Sequence, residues 1–345
     1  MKFNFFNLSF MDIGIDLGTA NILVTIKGKG IVLNEPSVVA IDNITGEIVA
    51  TGIEAKEMLG KTPEKIRAVK PIKDGVIADF TATRLLLRNI IQKVCKRYNI
   101  VRMRAAVGIP FGITEVEERA VEEAIIYAGA KEVYLIEEPI AAAIGANMEI
   151  SEPSGNIIVD IGGGTTEVAV ISLGGIVVSK SLRIAGDEID EAIVNYIKKE
   201  MNLAVGIKTA EEIKIALGCA MQLVVKEVLE IRGRDLNTGL PRNLQVTSEQ
   251  IQEAMYEPVD NIVEVIKATL EKTPPELSSD IMEKGIVLSG GGALIRNLDK
   301  LISDKTGMPV IIAENPLNCV VKGIEKTLND IDKLKNIVAN SRRNK

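Results

Sequence analysis

The residues best suited to chemistry lie in residues 156–172, NIIVDIGGGTTEVAVIS. An uncharged, β-branched run predicts a buried strand ending at Asp160, and a second apolar run predicts a returning strand. Between them, the three glycines 162–164 carry no Cβ, so phosphate oxygens could approach their backbone N–H groups closely. Asp160 supplies a carboxylate of the kind that a magnesium–phosphate complex needs, and Thr165 and Thr166 add hydroxyls. The motif alone fits a glycine-rich hairpin with a capping aspartate equally well.

A second copy of this pattern lies in residues 12–26, DIGIDLGTANILVTI. Asp16 precedes Gly18 and Thr19 between two predicted strands, so both segments share the frame D-[LI]-G-[TG]. An internal duplication is the simplest explanation, and it predicts two similar domains that each offer one aspartate and one glycine turn to a shared cleft. A chance pair of hairpins is the disfavoured alternative, because the aspartate occupies the same place in both frames.

A third glycine turn and an acidic helix start complete the candidate set. Residues 285–295, GIVLSGGGALI, predict a strand, a triple glycine and a helix N-terminus suited to an anion, without the spacing of a dinucleotide fold. Glu138 ends a predicted strand and precedes Pro139, which favours a first helical turn. It could orient water for attack on a phosphate, or it could simply stabilise the helix N-terminus.

Composition restricts the chemistry further. The 345 residues exceed one core and fit two domains, and the absence of histidine excludes Ser-His-Asp catalysis, Cys-His catalysis and His-ligated zinc. Three scattered cysteines without C-x-x-C favour a reducing cytoplasm, and the net charge of -6 argues against general nucleic-acid binding. No apolar run approaches the roughly 18 residues of a membrane span. Gly60-Lys61-Thr62 is rejected as a P-loop, since Ala55 stands where the upstream glycine belongs.

The surrounding pattern predicts the elements that must position these residues. Helices are expected over residues 54–59, 82–97, 114–129 and 248–272, and from about Leu317 to the chain end. Capping boxes are expected at Thr114-x-x-Glu117 and, opening another helix, at Thr209-x-x-Glu212. A hairpin is expected over residues 224–247, with its turn at 237–239.

Both ends of the chain carry features that could bind a membrane. Residues 1–10 hold four of the six phenylalanines, and on a helix Phe3, Phe6 and Phe10 would share a face. An extension docked on the core is the slightly favoured alternative. The tail carries Lys333, Lys335, Arg342, Arg343 and Lys345, and basic residues near an anionic leaflet contribute roughly 1 kcal/mol each.

The combined motifs resemble the MreB/Mbl family of the actin–heat-shock-chaperone ATPase superfamily. The resemblance covers roughly residues 11–330 and rests on the order and spacing of these segments: DIGIDLGTAN, GKGIVLNEPSVVA, KPIKDGVIADF, GITEVEERA, IEEPIAAAIGA, PSGNIIVDIGGGTTEVAVIS, IAGDEID, RGRDLNTGLPR, TPPELSSDI and SGGGALI.

The resemblance implies ATP or ADP and Mg²⁺ as ligands, and it implies a role for each matching position. Asp16 and Asp160 would hold hydrated Mg²⁺, and Glu138 would position the attacking water with help from Thr165. The remaining nucleotide contacts would be Gly18, Thr19, Ala20 and Asn21 in the first phosphate loop, Gly162, Gly163, Gly164 and Thr165 in the second, Glu211, Glu212, Ile213 and Lys214 at ribose and adenine, and Gly290, Gly291, Gly292, Ala293 and Leu294 on the opposite side.

The resemblance also implies an α/β fold with two ribonuclease-H-like domains around a nucleotide cleft, each with a smaller subdomain. The implied subdomains are IA (residues 1–32, 66–145 and 317–345), IB (33–65), IIA (146–180 and 246–316) and IIB (181–245). Family proteins polymerise with ATP into paired filaments and associate with the inner face of the cell membrane, so a homopolymer, an anionic membrane surface and membrane-bound shape proteins are the expected partners.

Some positions depart from the family pattern, and other functions stay open. Ala216 stands near the base pocket where relatives often carry Glu, which weakens the expectation of ATP over GTP. Phe111 stands where a small or polar residue is expected, and the segment 96–102 lacks the Leu-Phe pair of some membrane loops. The alternatives are a filament scaffold with little hydrolysis, a small-molecule kinase on the same fold, and a chaperone-type switch, which would need an appended peptide-binding domain.

Overall fold

The structure, a computed structural model, describes residues 10–330. The phenylalanine-rich start and the basic tail fall outside this range, except for Phe10. The chain forms two compact units. Within the described residues, unit 1 consists of residues 10–145 and 318–330, and unit 2 consists of Ala146–Leu317.

Both units contain strands and helices in mixed order. Up to residue 145 the elements are β1 (Met11–Leu17), β2 (Asn21–Ile26), β3 (Gly30–Pro36), β4 (Val39–Asp42), β5 (Ile48–Thr51), α1 (Ile53–Met58), β6 (Ile66–Val69), β7 (Ile72–Lys73), β8 (Val76–Ile77), α2 (Phe80–Tyr98), β9 (Met103–Ile109), α3 (Glu115–Ala128), β10 (Glu132–Glu137) and α4 (Glu138–Gly145). Unit 2 contains β11 (Asn156–Ile161), β12 (Thr166–Ser172), β13 (Gly175–Leu182), α5 (Gly186–Met201), β14 (Leu203–Ala204), α6 (Ile207–Leu217), β15 (Val228–Asp235), β16 (Pro241–Thr247), α7 (Ser248–Leu270), α8 (Pro275–Lys284), β17 (Ile286–Ser289), α9 (Leu298–Thr306) and β18 (Val310–Ile312). The chain then returns to unit 1 with α10 (Cys319–Thr327).

The main sheets of the two units repeat one topology. In unit 1 the order is β10-β9-β1-β2-β3, and in unit 2 it is β18-β17-β11-β12-β13. In each sheet the central strand pairs in parallel with one neighbour and forms an antiparallel hairpin with the other. Asp16 lies opposite Leu23 and Asp160 opposite Glu167, one residue before the last pair of each hairpin. The aspartates therefore hold equivalent places, as the repeated sequence frame predicts.

Each unit also carries a smaller sheet and a core of its own. The smaller sheets have the orders β5-β4-β6 in unit 1 and β14-β15-β16 in unit 2. In α2, buried apolar residues recur at helical spacing (Leu86, Leu87, Ile90, Ile91, Val94) and pack on the strands of unit 1. Strand residues such as Ile157 and Val159 anchor the separate core of unit 2. Among the described residues, no helix is long and apolar enough to cross a membrane.

Small residues bring the last helix close to α4. A Cβ on Gly145 would overlap the carbonyl of Cys319, and a Cβ on Gly323 would overlap the carbonyl of Ala141. The two helix backbones thus touch where side chains are missing.

Four details differ from the expectations. The capping box at Thr209 is wrong, because α6 already begins at Ile207 after Gly206 and has no side-chain cap. The segment after the third glycine turn forms one turn of 3-10 helix at Gly291–Leu294 rather than a longer helix, and this turn packs against Ile161 at the end of β11. Helices α8 and α9 and strand β18 had no prediction. Leu317 lies in a 3-10 turn, and α10 begins at Cys319.

Candidate functional site

The first glycine turn joins β1 to β2 and is held by residues remote in sequence. Asp16 is half-buried near the end of β1, and a Cβ on Gly18 would lie 2.8 Å from the carbonyl oxygen of Asn21. Buried Ser37 donates its hydroxyl to the Gly18 carbonyl at 2.5 Å and its backbone N–H to the Ala20 carbonyl at 3.0 Å. With both carbonyls engaged, the shape of the turn is set from the next segment of chain.

Thr19 adds a further link at this turn. It is buried, and its Oγ1 accepts a hydrogen bond from the backbone N–H of Gly75, at 3.2 Å. The hairpin β7–β8 is thereby tied to the first glycine turn.

Glu138 stands at the start of α4, beside the end of β9. It is half-buried, and a Cβ on Gly108 would lie 3.3 Å from its Cγ. Gly108 pairs with Ile136 in the sheet of unit 1. A glycine in β9 therefore provides the space that the Glu138 side chain uses.

The second glycine turn lies beside a buried carboxylate. Asp160 is 8% exposed, and its Oδ1 accepts a hydrogen bond from the Ser289 hydroxyl at 2.6 Å. Burial raises the pKa of the Asp160 carboxyl, and the Ser289 hydrogen bond opposes that rise. Ser289 is the register partner of Asp160 across β11 and β17. A nearby cation would stabilise the charged form of this carboxyl.

The third glycine turn packs directly against the second. Gly290 has φ +79°, and a Cβ there would overlap the carbonyl of Ile161, the last residue of β11. A Cβ on Gly292 would overlap the Ile161 side chain. The Gly290 N–H donates to the Pro316 carbonyl at 2.9 Å. The ends of β11 and β17 thus bring Asp160, the 162–165 turn and the 290–294 turn together.

The 162–165 turn is also fastened to the start of α5. The N–H groups of Gly186 and Asp187 donate to the carbonyls of Gly162 and Gly163, at 3.2 and 2.7 Å. The Gly162 N–H donates to the Thr165 carbonyl at 2.8 Å, and Thr165 is buried. These hydrogen bonds close the 162–165 turn and orient the carbonyls of Gly162 and Gly163 toward α5.

Residues expected at ribose and adenine lie on α6. Lys214 donates to the Gly186 carbonyl at 2.8 Å and is thus near the second turn. Glu211 is half-buried and Glu212 is exposed, whereas the Ile213 side chain is fully buried in the core of unit 2. In the third turn Ala293 is fully buried and Leu294 is exposed.

The sequence analysis did not predict four residues that lie around the glycine turns and the end of α6. Ser289 could have been noticed, because it precedes a triple glycine at a strand end. Glu167 is 1% exposed and faces Asp160 across the hairpin, but its place in a run of buried strand residues hides it. Ser37 gives no local signal, since its partners lie 17 and 19 residues away.

Arg296 is the fourth of these residues. It donates to the carbonyls of Gly218 and Ala216, at 3.1 Å each, and lies 2.7 Å from Glu227. Arg296 therefore holds the C-terminal end of α6 to the segment that follows the third glycine turn. This end of α6 contains Ala216, the residue that departs from the family pattern. Within residues 10–330, no group of three or more His, Cys, Asp or Glu side chains could hold a metal ion.

Comparison with known proteins identifies the family. The sequence profile of the MreB/Mbl protein family matches residues 10–336. The chain belongs to the MreB/Mbl family. This MreB/Mbl chain is 52% identical over 323 residues to the cell shape-determining protein Mbl of Bacillus cereus, covering 94% of this chain and 97% of that protein. It is 51% identical over 326 residues to the cell shape-determining protein MreB of Escherichia coli strain K12, covering 93% and 94%.

Solved structures confirm the actin-like α/β fold expected for this MreB/Mbl chain. The crystal structure of MreB5 of Spiroplasma citri bound to ADP superposes with a TM-score of 0.90 at 41% identity, covering 96% of this chain and 99% of that one. The MamK double helical filament shares the fold alone, with a TM-score of 0.77 at 22% identity over 93% and 99%. The chain is an actin-like cytoskeletal protein of the cell shape-determining family.

Proposed function

We propose that this chain binds ATP with Mg²⁺, hydrolyses it slowly, and polymerises into paired filaments at the inner face of the cell membrane that govern cell shape. The names of the relatives support the cell-shape role, and the ADP in the Spiroplasma structure supports nucleotide binding. The MamK filament supports self-association of this fold.

One observation carries the nucleotide part of the proposal. The central strand of each main sheet presents an aspartate and a glycine turn at equivalent positions, and both turns are held by residues outside the hairpin. Turns that are fixed in this way suit a site whose backbone N–H groups must keep their places for phosphate oxygens.

Each candidate residue has a role in this proposal. The backbones of residues 18–21 and 162–165 bind phosphates, and residues 290–294 lie along the nucleotide. Glu211 and Lys214 bind ribose and adenine, with Glu212 beside them. The Ile213 side chain is buried in the core of unit 2, so its role is to support α6.

The acids fit a magnesium ion that arrives with a nucleotide. Asp16 and Asp160 offer oxygen ligands, and the raised pKa of Asp160 shows a buried carboxyl whose charged form a cation would favour. The absence of a three-residue ligand cluster among the described residues agrees with Mg²⁺ bound mainly through phosphates and water. When bound, Mg²⁺ would neutralise charge on the phosphates.

Hydrolysis is assigned to Glu138 with Thr165. The Glu138 carboxylate accepts a hydrogen bond from the attacking water and so orients it, and the Thr165 hydroxyl assists. Gly108 leaves room for the Glu138 side chain beside the end of β9.

Electron microscopy with Mg-ATP, with Mg-ADP and without nucleotide, at matched salt, tests polymerisation. Nucleotide-dependent filaments are expected. A monomer that binds ATP in every condition would refute the filament role and favour a kinase or switch on the same fold.

Phosphate release by Glu138→Ala tests hydrolysis. We expect a loss of about 100-fold or more, as for removal of a group that orients the nucleophile, with nucleotide affinity retained. Glu137→Gln is the matched control, since it changes an exposed carboxylate at the neighbouring position. Wild-type phosphate release by Glu138→Ala would instead favour a filament scaffold with little hydrolysis.

We also propose for this chain the subdomain boundaries that the family resemblance implies. The small sheet β5-β4-β6 supports a subdomain IB over residues 33–65, although β6 begins just beyond it. The small sheet β14-β15-β16 supports a subdomain IIB over residues 181–245, with β16 crossing its end.

A further inference from the structure

Unit 2 buries an ion pair beside the second glycine turn. Asp190, on the second turn of α5, is 3% exposed, and its Oδ1 lies 2.8 Å from Nζ of Lys214 on α6. Burying two opposite charges costs about as much desolvation energy as their attraction returns, so such a pair is weak support for stability alone. The location of the pair beside the second glycine turn suggests a role in the nucleotide site.

The pair is linked to the glycine turn through one backbone carbonyl. Lys214 Nζ donates to the Gly186 carbonyl at 2.8 Å, and Gly186 in turn donates its N–H to the Gly162 carbonyl. A Cβ on Gly186 would lie 3.3 Å from the Gly162 carbonyl oxygen and 3.4 Å from Lys214 Nζ. Asp190, Lys214, Gly186 and Gly162 thus form a continuous series of contacts.

We propose that Asp190 is a positioning residue of the nucleotide site, which holds the Lys214 ammonium on the Gly186 carbonyl and so keeps the first turn of α5 under residues 162–165. The proposal rests on the proposed nucleotide binding. Asp190 acts through Lys214, so it matters only while Lys214 carries its ammonium group.

Other charged residues act on the Asp190–Lys214 pair. Burial raises the pKa of Asp190 and Lys214 lowers it, while Glu211 on α6 and Asp187 on α5 add smaller increases. Neutralising Asp190 removes the carboxylate that holds the Lys214 ammonium group beside the Gly186 carbonyl.

A double-mutant cycle on nucleotide affinity tests this. Fluorescent ADP is titrated into the full-length wild type, Asp190→Asn, Lys214→Met and the double variant, with Mg²⁺ present. We expect Asp190→Asn to weaken binding about tenfold, the size of one charge-assisted contact, and to have no further effect in the Lys214→Met background. Glu191→Gln, which removes an exposed charge from the same helix, should bind like the wild type.

Thermal unfolding without nucleotide separates positioning from a purely structural role. If Asp190→Asn lowers the unfolding midpoint but keeps wild-type affinity, or weakens binding equally in both backgrounds, the positioning role is refuted. If the wild type itself binds no nucleotide, the proposed function fails and this inference fails with it. Should Asp190→Asn not fold, Asp190→Ser, which removes the charge and leaves room for water, takes its place in the cycle with the same expectations.

Discussion

Two aspartates in the same sequence frame have different surroundings. Asp160 is buried against Ser289, and its pKa is raised, whereas Asp16 is half-buried. The neighbouring parallel strand places Ser289 beside Asp160 in register, and its hydrogen bond opposes the rise in pKa that burial causes. If both aspartates serve Mg²⁺, Asp160 gains more from the cation, because its charge is the more costly one to bury.

Asp190 predicts a pH dependence of stability. Burial raises its pKa from 3.8 to about 6, with Lys214 opposing the rise. The folded state therefore binds a proton between pH 6 and 4 that the unfolded state does not, and this group contributes stability at pH 4 that is lost as the pH rises through 6. The contribution is up to about 3 kcal/mol for a shift of this size.

The measurement is urea unfolding of wild type and Asp190→Asn from pH 4 to pH 7. Asparagine does not titrate, so the free energy of unfolding of the variant minus that of the wild type should increase from pH 4 to pH 6 and stay level above. A difference that is independent of pH would show that the Asp190 carboxyl keeps an ordinary pKa in the folded protein.

At the scale of elements, glycines decide which backbones can meet. Gly145 and Gly323 let α4 and α10 touch, and Gly108 leaves room for Glu138. In each case the neighbour is far away in sequence, so the glycine is required by packing and not by a turn. The same helix α4 starts with Glu138, so its packing on α10 also bears on the place of that carboxylate.

Gly323→Ala should destabilise the protein by about 1–3 kcal/mol, because its Cβ would overlap the Ala141 carbonyl and backbone atoms cannot turn aside. The midpoint of chemical unfolding measures this. Gly175→Ala is the control, since a Cβ on this exposed residue would lie 3.9 Å from the Ser172 carbonyl oxygen, an ordinary van der Waals distance. Equal midpoints for both variants would mean that α4 and α10 separate without loss.

At the scale of the molecule, one topology occurs twice in one chain. Both main sheets share strand order, directions and the place of the aspartate, as the repeated frame in residues 12–26 and 156–172 predicts. Their helices differ in length and in their place along the chain, because the chain between equivalent strands differs in each unit. The motifs on equivalent strands of the two sheets therefore predict the actin-like fold.

Membrane association of the whole chain is tested by sedimentation with anionic liposomes. The full chain should co-sediment, and forms lacking residues 1–10 or residues 333–345 should bind less, since five basic residues near an anionic leaflet contribute roughly 1 kcal/mol each. Neutral liposomes are the control. Equal sedimentation of all three forms would refute a role for either end.

By itself, the sequence determined the strands on either side of the first two glycine turns, the long helices α2, α3 and α7, the glycine turns and the family, because periodicity, capping residues and ordered motifs are local signals. It predicted the capping box at Thr114 correctly and that at Thr209 wrongly, since the start of α6 depends on its packing and not on a capping side chain. Only the tertiary structure placed Ser37 on the first turn, Ser289 on Asp160 and Asp190 on Lys214. Such contacts join residues remote along the chain, and burial and register, which create them, exist only after the sheets and helices have packed.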